Sequence, residues 1–209
     1  MNKLNNNLNI GIIGLGVGEA HLKSYQQIPN VEVISVCDID PVRLKLIADN
    51  YNISGRYTES KFITEDPNID IVSICSYDNF HAEQLISCFR NGKHVMVEKP
   101  VVLFKEEAEV VVREWKDSNC KITSNLILRE SPRFKNIKKM ISEKYFGEIY
   151  HIEGDYLHNI LHKITDGWRG KMPFFSTVYG GGIHLIDLMR WLMNDEVKEV
   201  CSMGNNILT

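Results

Sequence analysis

Residues 10–21, IGIIGLGVGEAH, decide the fold of the amino-terminal half of this chain. An apolar, β-branched run leads into three closely spaced glycines, Gly14, Gly16 and Gly18, and then into a helix-forming segment. Glycines between a strand and a helix let the backbone turn tightly and approach a phosphate bound at the amino end of the helix. The spacing G-x-G-x-G is one residue shorter than the full dinucleotide motif, and glycine turns of this kind also occur without a ligand.

Short β-branched runs alternate with longer amphipathic segments on the carboxyl side of this turn. Strands are predicted over Leu8–Ile13, Val31–Cys37, Ile69–Cys75, His94–Val97 and Lys121–Thr123. Helices are predicted over Ala20–Ile28, Val42–Asn50, His81–Asn91 and Lys105–Ser118. Such alternation specifies a parallel sheet with helices on both faces. The predicted fold class is therefore α/β, with a doubly wound Rossmann domain over residues 1–124.

The pattern changes after residue 124. A helix is predicted over Ser131–Lys144, and the alternating segment Glu148–Leu157 is typical of an antiparallel strand with one exposed face. A glycine run, Gly180–Gly182, precedes a helix that continues to Met193, and Val197–Ile207 is predicted as a second strand. Residues 125–209 are thus predicted to form a partial α+β domain with a mainly antiparallel sheet.

The end of the second predicted strand indicates which dinucleotide is bound. Asp38 follows Gly14 by about 24 residues, close to the place where an acidic residue accepts hydrogen bonds from the adenosine ribose. A carboxylate there also repels a 2′-phosphate, so NAD is favoured over NADP. The alternative is a helix-capping turn, since Asp38 and Asp40 both precede Pro41. The two roles are compatible.

Composition argues against several classes of protein. A hydrophobic fraction of 44% with 24% charged residues is ordinary for a globular domain. The net charge of -3 provides no basic field for nucleic acid. No apolar run approaches the roughly 18 residues of a membrane span. The five cysteines are scattered and never form a C-x-x-C pair, which fits a reduced, cytoplasmic compartment.

The segment GKHVMVEKP, residues 92–100, contains the first candidate for chemistry. It places Glu98 and Lys99 directly after a buried strand, at the end where open α/β sheets bind ligands. A lysine at this point can hold a substrate oxygen and lower the cost of forming an alkoxide. The alternative is a solvated surface lysine, which is the commoner place for that residue.

A second candidate group follows the glycine run. His184 and Asp187 are three residues apart, hence on one helix face, and an imidazole can take a hydroxyl proton near neutral pH. The alternative for His184 is a helix-cap or core histidine. Trp168 and Arg169 precede the glycines and are candidates either for substrate contact or for a surface anchor.

No metal site is predicted. His158 and His162 are four residues apart, a spacing that can bind metal on a helix, but they lack a nearby third ligand.

Five segments together resemble the Gfo/Idh/MocA family, the relatives of glucose–fructose oxidoreductase and inositol dehydrogenase. They are GLGVGEAH (14–21), VCDID (36–40), residues 76–81, GKHVMVEKP (92–100) and GGGIHLIDLMRWL (180–192). The last two are distinctive, and the five extend over the whole chain. The resemblance implies an NAD-dependent oxidoreductase that acts on a sugar, a polyol or a sugar derivative, and a homo-oligomer formed through the carboxyl-terminal sheet.

The resemblance also implies roles for individual residues. Lys99 and His184 are the implied catalytic pair, in which His184 accepts the hydroxyl proton and Lys99 steadies the alkoxide. The predicted substrate-binding residues are Asp187, Trp168 and Arg169. The predicted cofactor-binding residues are Gly14, Gly16, Gly18, Asp38, Ser76, Tyr77, His81, Glu98 and Lys99. The alternative for His81 is helix packing.

Three departures from the family pattern leave a second function open. Gly180 stands where many relatives have an aspartate, Ser76-Tyr77 replaces Thr-Pro, and the chain is shorter than family members. A non-enzymatic, NAD-bound regulator or scaffold is therefore the alternative, and an inactive chain is the third possibility. The presence of both Lys99 and His184 favours the enzyme, because a binding module needs neither.

Overall fold

Six strands of the amino-terminal half pair side by side into one parallel sheet. This computed structural model describes residues 7–172 and 174–204, and the chain divides into two compact units, Met1–Asn125 and Leu126–Thr209. The strands are β1 (Leu8–Ile13), β2 (Val31–Cys37), β3 (Gly55–Tyr57), β4 (Ile71–Ile74), β5 (His94–Val97) and β6 (Ile122–Ser124). The first unit thus has the parallel α/β sheet predicted from the strand–helix alternation.

The strand order is β3-β2-β1-β4-β5-β6, and every neighbouring pair is parallel. Parallel neighbours require crossover connections, here made mostly by helices. The chain leaves β1 towards one edge of the sheet and returns to β4 on its other side. In open α/β sheets the ligand crevice lies outside the carboxyl ends of the strands at such a reversal of direction, which here falls between β1 and β4.

Helices cover the sheet and complete two apolar clusters. In the first unit they are α1 (Gly18–Tyr25), α2 (Pro41–Asn50), α3 (Lys61–Thr64), α4 (His81–Arg90) and α5 (Lys105–Asp117). Alternate side chains of β1 enter different clusters, as the two-residue period of a strand requires. Ile10 and Ile12 pack with Leu22 of α1, whereas Ile13 packs with Leu85 of α4.

Two short elements, β3 and α3, were not predicted from the sequence. β3 has three residues and pairs with the end of β2. A Cβ at Gly55 would lie 2.2 Å from Ser35 Oγ, so the close approach of these two strands requires a glycine. Segments this short show no periodicity, and packing rather than pattern determines them.

The second unit is helical in the part of the chain that the structure describes. Its helices are α6 (Pro132–Ser142), α7 (Leu161–Thr165) and α8 (Ile183–Met193). The predicted helix over Ser131–Lys144 is therefore present, with Pro132 in its first turn. A single π-helical turn, Val178–Gly182, leads into α8.

The predicted antiparallel sheet of the second domain is not present among the described residues. Glu148–Leu157 contains neither helix nor strand, and residues 197–204 are likewise irregular; residues 205–207 lie outside the described residues. A strand forms only when its backbone groups bond to a neighbouring strand, and no described segment of this unit pairs with either one. The predicted antiparallel sheet is therefore not confirmed by the described residues.

Candidate active site

The glycine loop joins β1 to α1 at the crevice between β1 and β4. Gly14 has a positive φ of 85°, and a Cβ on it would lie 2.4 Å from the Cys75 carbonyl oxygen. A Cβ on Gly18 would lie 2.9 Å from Ile12 Cγ2. These two glycines therefore allow tight packing of the loop against β4 and of α1 against β1.

Gly16 serves a different purpose from its neighbours. A Cβ at this position would meet no protein atom within 4 Å, so packing does not require a glycine here. The space next to Gly16 is open, at the amino end of α1, where backbone N–H groups point outward. A bound pyrophosphate fits this arrangement, because only a glycine lets the anion approach the backbone closely. The loop thus fits a dinucleotide cofactor.

Asp38 connects the end of β2 to the glycine loop. Its carboxylate accepts hydrogen bonds from the Leu15 N–H at 2.7 Å and the Asp40 N–H at 2.8 Å, and the residue is only 4% exposed. The cap of α2 is Asp40, which accepts from the Val42 and Arg43 N–H groups. A carboxylate has about four acceptor positions, so Asp38 retains capacity for a ribose hydroxyl.

Arg43 is the nearest cation to Asp38. Its Nη1 lies 3.7 Å from an Asp38 carboxylate oxygen, and its side chain is 43% exposed. At this distance the guanidinium partly neutralises the charge that would repel a 2′-phosphate.

Ser76 and Tyr77 follow β4 and therefore lie beside the glycine loop. Ser76 Oγ donates to Gln84 Oε1 at 2.7 Å, and the ring of Tyr77 stacks on that of Phe80 with centroids 6.5 Å apart. The structure thus brings Ser76 and Tyr77 to the crevice with Gly14, as predicted for cofactor-binding residues, while their contact with a cofactor stays a prediction.

His81 connects the loop after β4 to the loop after β5. The ring is fully buried, with Nδ1 2.7 Å from the Pro100 carbonyl oxygen and Nε2 3.2 Å from the Ser76 carbonyl oxygen. A backbone carbonyl oxygen thus lies within hydrogen-bonding distance of each ring nitrogen. His81 therefore fastens the two loops together from beneath the crevice.

Glu98 is the centre of a buried group of hydrogen bonds at the end of β5. Its Oε1 accepts from Asn125 Nδ2 at 2.7 Å and from His21 Nε2 at 3.0 Å, and its Oε2 accepts from the Lys99 N–H at 3.3 Å. Burial opposes ionisation of this carboxyl, but the hydrogen bonds from His21 and Asn125 outweigh it and lower the pKa of Glu98. Glu98 is thus a fixed negative charge next to Lys99.

Lys99 lies at the carboxyl end of β5, one residue beyond Glu98 and before the cis peptide bond to Pro100. β5 is parallel to its neighbour β4, so Lys99 lies at the carboxyl ends of the strands, as the glycine loop does. The structure thus collects Gly14, Ser76, Glu98 and Lys99 at one end of the sheet, as the sequence predicted.

The second unit contains the remaining predicted residues. His184 is the second residue of α8, directly after the π-helical turn of glycines. Asp187, one turn further along α8, is almost buried and accepts two hydrogen bonds from Arg129, at 2.8 and 2.5 Å. The bidentate pair raises the pKa of Arg129 and fixes the orientation of α8 relative to the turn at residues 127–130.

The position that is aspartate in many relatives is tightly packed here. A Cβ at Gly180 would lie 2.9 Å from Phe175 Cζ, and a Cβ at Gly181 would lie 2.7 Å from Tyr156 Cε1. A side chain at residue 180 therefore requires the Phe175 ring to move. Trp168 and Arg169 begin a 3₁₀ turn, with the Arg169 guanidinium 4.2 Å from the Trp168 ring centroid.

Three residues of the site were not predicted: His21, Asn125 and Arg129. His21 ends the quoted glycine segment and Asn125 follows a strand, so position gave a signal for both. Arg129 lies in a short 3₁₀ turn, Ile127–Glu130, and only the structure shows its pairing with Asp187.

The described residues contain neither a membrane-spanning helix nor a cluster of metal ligands. No helix in these residues is long and apolar enough to cross a bilayer. No three His, Cys, Asp or Glu side chains within residues 7–172 and 174–204 are grouped as metal ligands.

Comparison with known families gave matches over most of the chain. Residues 8–126 match a family model described as the GFO/IDH/MocA oxidoreductase family with an NAD-binding Rossmann fold. Residues 134–209 match the GFO/IDH/MocA C-terminal domain.

Comparison with individual proteins gave several relatives that are inositol dehydrogenases, and also a levoglucosan dehydrogenase of Pseudarthrobacter phenanthrenivorans, 28% identical over 90% of this chain and 52% of the relative. The chain is 27% identical to myo-inositol 2-dehydrogenase of Thermotoga maritima, over 95% of this chain and 58% of the relative. It is 26% identical to inositol 2-dehydrogenase of Salmonella paratyphi B, over 92% and 56%. A solved structure of myo-inositol 2-dehydrogenase from Lactobacillus plantarum superposes with a TM-score of 0.84 at 25% identity, over 90% and 57%. The chain spans little more than half the length of these proteins.

Proposed function

This chain belongs to the Gfo/Idh/MocA oxidoreductase family, and we propose that it oxidises a secondary hydroxyl of a cyclic polyol such as an inositol, with NAD as the acceptor. The observation on which this depends most is the crevice between β1 and β4, where the glycine loop, Asp38 and Lys99 lie at one edge of the sheet. The inositol dehydrogenases among its relatives support the choice of substrate class.

The first unit holds the cofactor in this proposal. The open space beside Gly16 and the amino end of α1 receive the pyrophosphate, and Asp38 accepts hydrogen bonds from the adenosine ribose. Bound NAD supplies a nicotinamide ring that accepts a hydride. Arg43, 3.7 Å away, neutralises the charge of the nearly buried Asp38 only in part. The remaining negative charge would repel a 2′-phosphate, so we propose that NAD is preferred over NADP.

Lys99 and His184 provide the polar chemistry. The His184 imidazole would accept the proton of the substrate hydroxyl, and bound NAD would supply the acceptor for the hydride that the same carbon loses as its C–O bond becomes a carbonyl. The Lys99 ammonium stabilises the negative charge that develops on the substrate oxygen. The products are a ketone, NADH and one proton, so atoms and electrons balance.

The remaining predicted substrate contacts differ in their surroundings. Both oxygens of Asp187 are held by Arg129, so we propose that Asp187 orients α8 and contributes one free acceptor position to substrate. Trp168 and Arg169 stay proposed substrate contacts.

The test is a steady-state assay of myo-inositol oxidation, followed by NADH absorbance at neutral pH, with NAD bound to the full chain. Turnover that requires Lys99 supports the proposal. Saturable NADH binding with no oxidation of any inositol or sugar would instead support the alternative, an NAD-bound regulator or scaffold. Gly180, which lacks the carboxylate of many relatives, is the observation that favours this alternative.

The predicted sheet and the homo-oligomer formed through it also stay proposals. Tyr150 and Leu157 in the irregular segment are 97% and 93% exposed, and an antiparallel sheet that pairs two copies would cover such side chains. Light scattering after size-exclusion chromatography tests this: a single species of monomer mass over the micromolar range would contradict it.

A further inference from the structure

A series of hydrogen-bonded polar side chains in the first unit leads to Glu98, the residue before Lys99 and Pro100. Ser73, on β4, is fully buried, and its Oγ lies 2.9 Å from His21 Nδ1 and 3.4 Å from the Tyr25 hydroxyl. His21 and Tyr25 are on consecutive turns of α1, and His21 Nε2 lies 3.0 Å from Glu98. The series of hydrogen bonds thus connects α1, through Ser73 of β4, to the residue before Lys99.

In each hydrogen bond of this series, the donor and the acceptor can be assigned. The ionised Glu98 carboxylate can only accept, so His21 Nε2 must have a proton and donate. With Nδ1 unprotonated, the ring accepts from the Ser73 hydroxyl, which in turn accepts from the Tyr25 hydroxyl and also lies 3.6 Å from Cys75 Sγ. The Nε2–H tautomer thus gives each hydrogen bond between Tyr25 and Glu98 one donor and one acceptor.

Glu98 transmits this arrangement to Lys99. Its second oxygen accepts from the Lys99 backbone N–H, and Asn125 holds the first oxygen from the other side. The side chains of His21 and Glu98 are 10% and 12% exposed, so water does not compete strongly for these bonds. The backbone at Lys99 is therefore held by a carboxylate whose own position two other elements determine.

Stability alone does not explain such a network. In general, replacing buried ionic groups with apolar side chains of similar volume changes the free energy of unfolding little and often increases it. What the network provides is orientation, because each group has few geometries that satisfy it.

We propose that His21 is a positioning residue that acts through Glu98 to hold Lys99 in its catalytic place. The inference rests on the proposed function for the role of Lys99, but the geometry that it describes is testable without turnover. A misplacement of about 1 Å can cost about 100-fold in rate, so loss of the His21 donor is expected to lower kcat about 10- to 100-fold.

The first test needs no substrate. In the full chain labelled with ¹⁵N-histidine, two-bond NMR correlations identify the tautomer of His21. A proton on Nε2 of the ring supports the proposal, and protonation at Nδ1 alone would overturn it, since Glu98 would then have no donor from the ring.

The second test compares three variants. His21→Leu removes the donor at similar volume, and His21→Gln keeps an N–H donor at the same reach. The control, His94→Gln, alters a histidine on β5 that accepts from the Lys121 N–H and does not contact Glu98. We expect amide exchange at Lys99 to accelerate at least fivefold in His21→Leu only. We also expect kcat for myo-inositol with NAD to fall in that variant alone, with the KM for NAD unchanged within threefold.

The outcomes separate this inference from the proposed function. If the wild-type chain binds NADH but oxidises no myo-inositol, the proposed function fails, and the tautomer and Lys99 exchange still decide the inference. If His21→Leu does not fold, the wild-type tautomer and the activity of His21→Gln decide it. Unchanged Lys99 exchange in a folded His21→Leu would overturn the proposal.

Discussion

The Asp38 carboxylate accepts a hydrogen bond of 2.7 Å from the backbone N–H of Leu15, and this bond joins the end of β2 to the middle of the glycine loop. The two parts of the chain expected to hold the ribose and the pyrophosphate are thereby fixed to each other before any ligand binds. A preformed site loses less conformational entropy on binding than a flexible one. The same bond explains why Asp38 is nearly buried although it is expected to contact a ligand.

The glycines of the loop differ in what they tolerate. Gly14→Ala forces a Cβ into the Cys75 carbonyl at a positive φ, so we expect a loss of about 1–3 kcal/mol in the free energy of unfolding. Gly16→Ala meets no protein atom, so we expect unchanged stability but NADH affinity at least ~10-fold weaker. Thermal unfolding and NADH fluorescence titration measure the two effects. Wild-type NADH affinity in Gly16→Ala would show that the pyrophosphate does not approach this residue.

Lys99 and His184 are expected to affect turnover and not cofactor binding. Lys99→Ala and His184→Ala should bind NADH normally and turn over at least ~100-fold more slowly, because each removes one polar partner of the reacting hydroxyl. Calorimetric titration with NADH provides the control. Full activity in either variant would remove that residue from the mechanism.

Glu98 should contribute to stability in a pH-dependent way. Burial would raise its pKa, but the hydrogen bonds from His21 and Asn125 hold it below its ordinary value of 4.5. A carboxyl whose pKa is lower in the folded state stabilises the fold at pH values above its unfolded-state pKa. This stabilisation is lost as the pH falls through the folded-state pKa. The stability difference between wild type and Glu98→Gln should therefore be constant near pH 6–7 and shrink below about pH 4.5. Chemical denaturation at several pH values measures it, and a difference that grows on acidification would contradict the assignment.

Arg129 should stabilise the second unit through Asp187. Arg129→Met leaves a nearly buried carboxylate without its bidentate partner, at a cost of about 1–2 kcal/mol, less than for a fully buried pair because Arg129 is 41% exposed. Arg190→Met is the matched control, since its bidentate pair with Glu196 is exposed and should change stability little. Equal effects of the two substitutions in urea denaturation would contradict this account.

The fold of the first unit was largely predictable from the sequence, whereas that of the second was not. β1 and β2 have the predicted bounds, because buried β-branched runs and the glycine turn are local signals. β3 depends on a contact between Gly55 and Ser35 that no local pattern encodes. The predicted strand over Glu148–Leu157 depends on a partner strand, which alternation cannot supply.

The residues of the candidate site were also predictable only in part. Motifs identified Asp38, Lys99 and His184, since these residues follow strands or glycines at characteristic distances. The contacts of His21 with Glu98 and of Arg129 with Asp187 join distant parts of the chain, and these pairings are seen only in the structure. Sequence motifs thus indicate candidate site residues, and tertiary packing determines which side chains contact them.

The central claim is that the first unit binds NAD through the glycine loop and Asp38. The most direct measurement is a titration of the full chain with NADH and with NADPH, followed by cofactor fluorescence and by the shift in Tm that binding to the folded state produces. We predict saturable NADH binding and NADPH binding at least ~10-fold weaker, with the difference reduced in Asp38→Asn. Binding of neither cofactor by the folded chain would contradict the account.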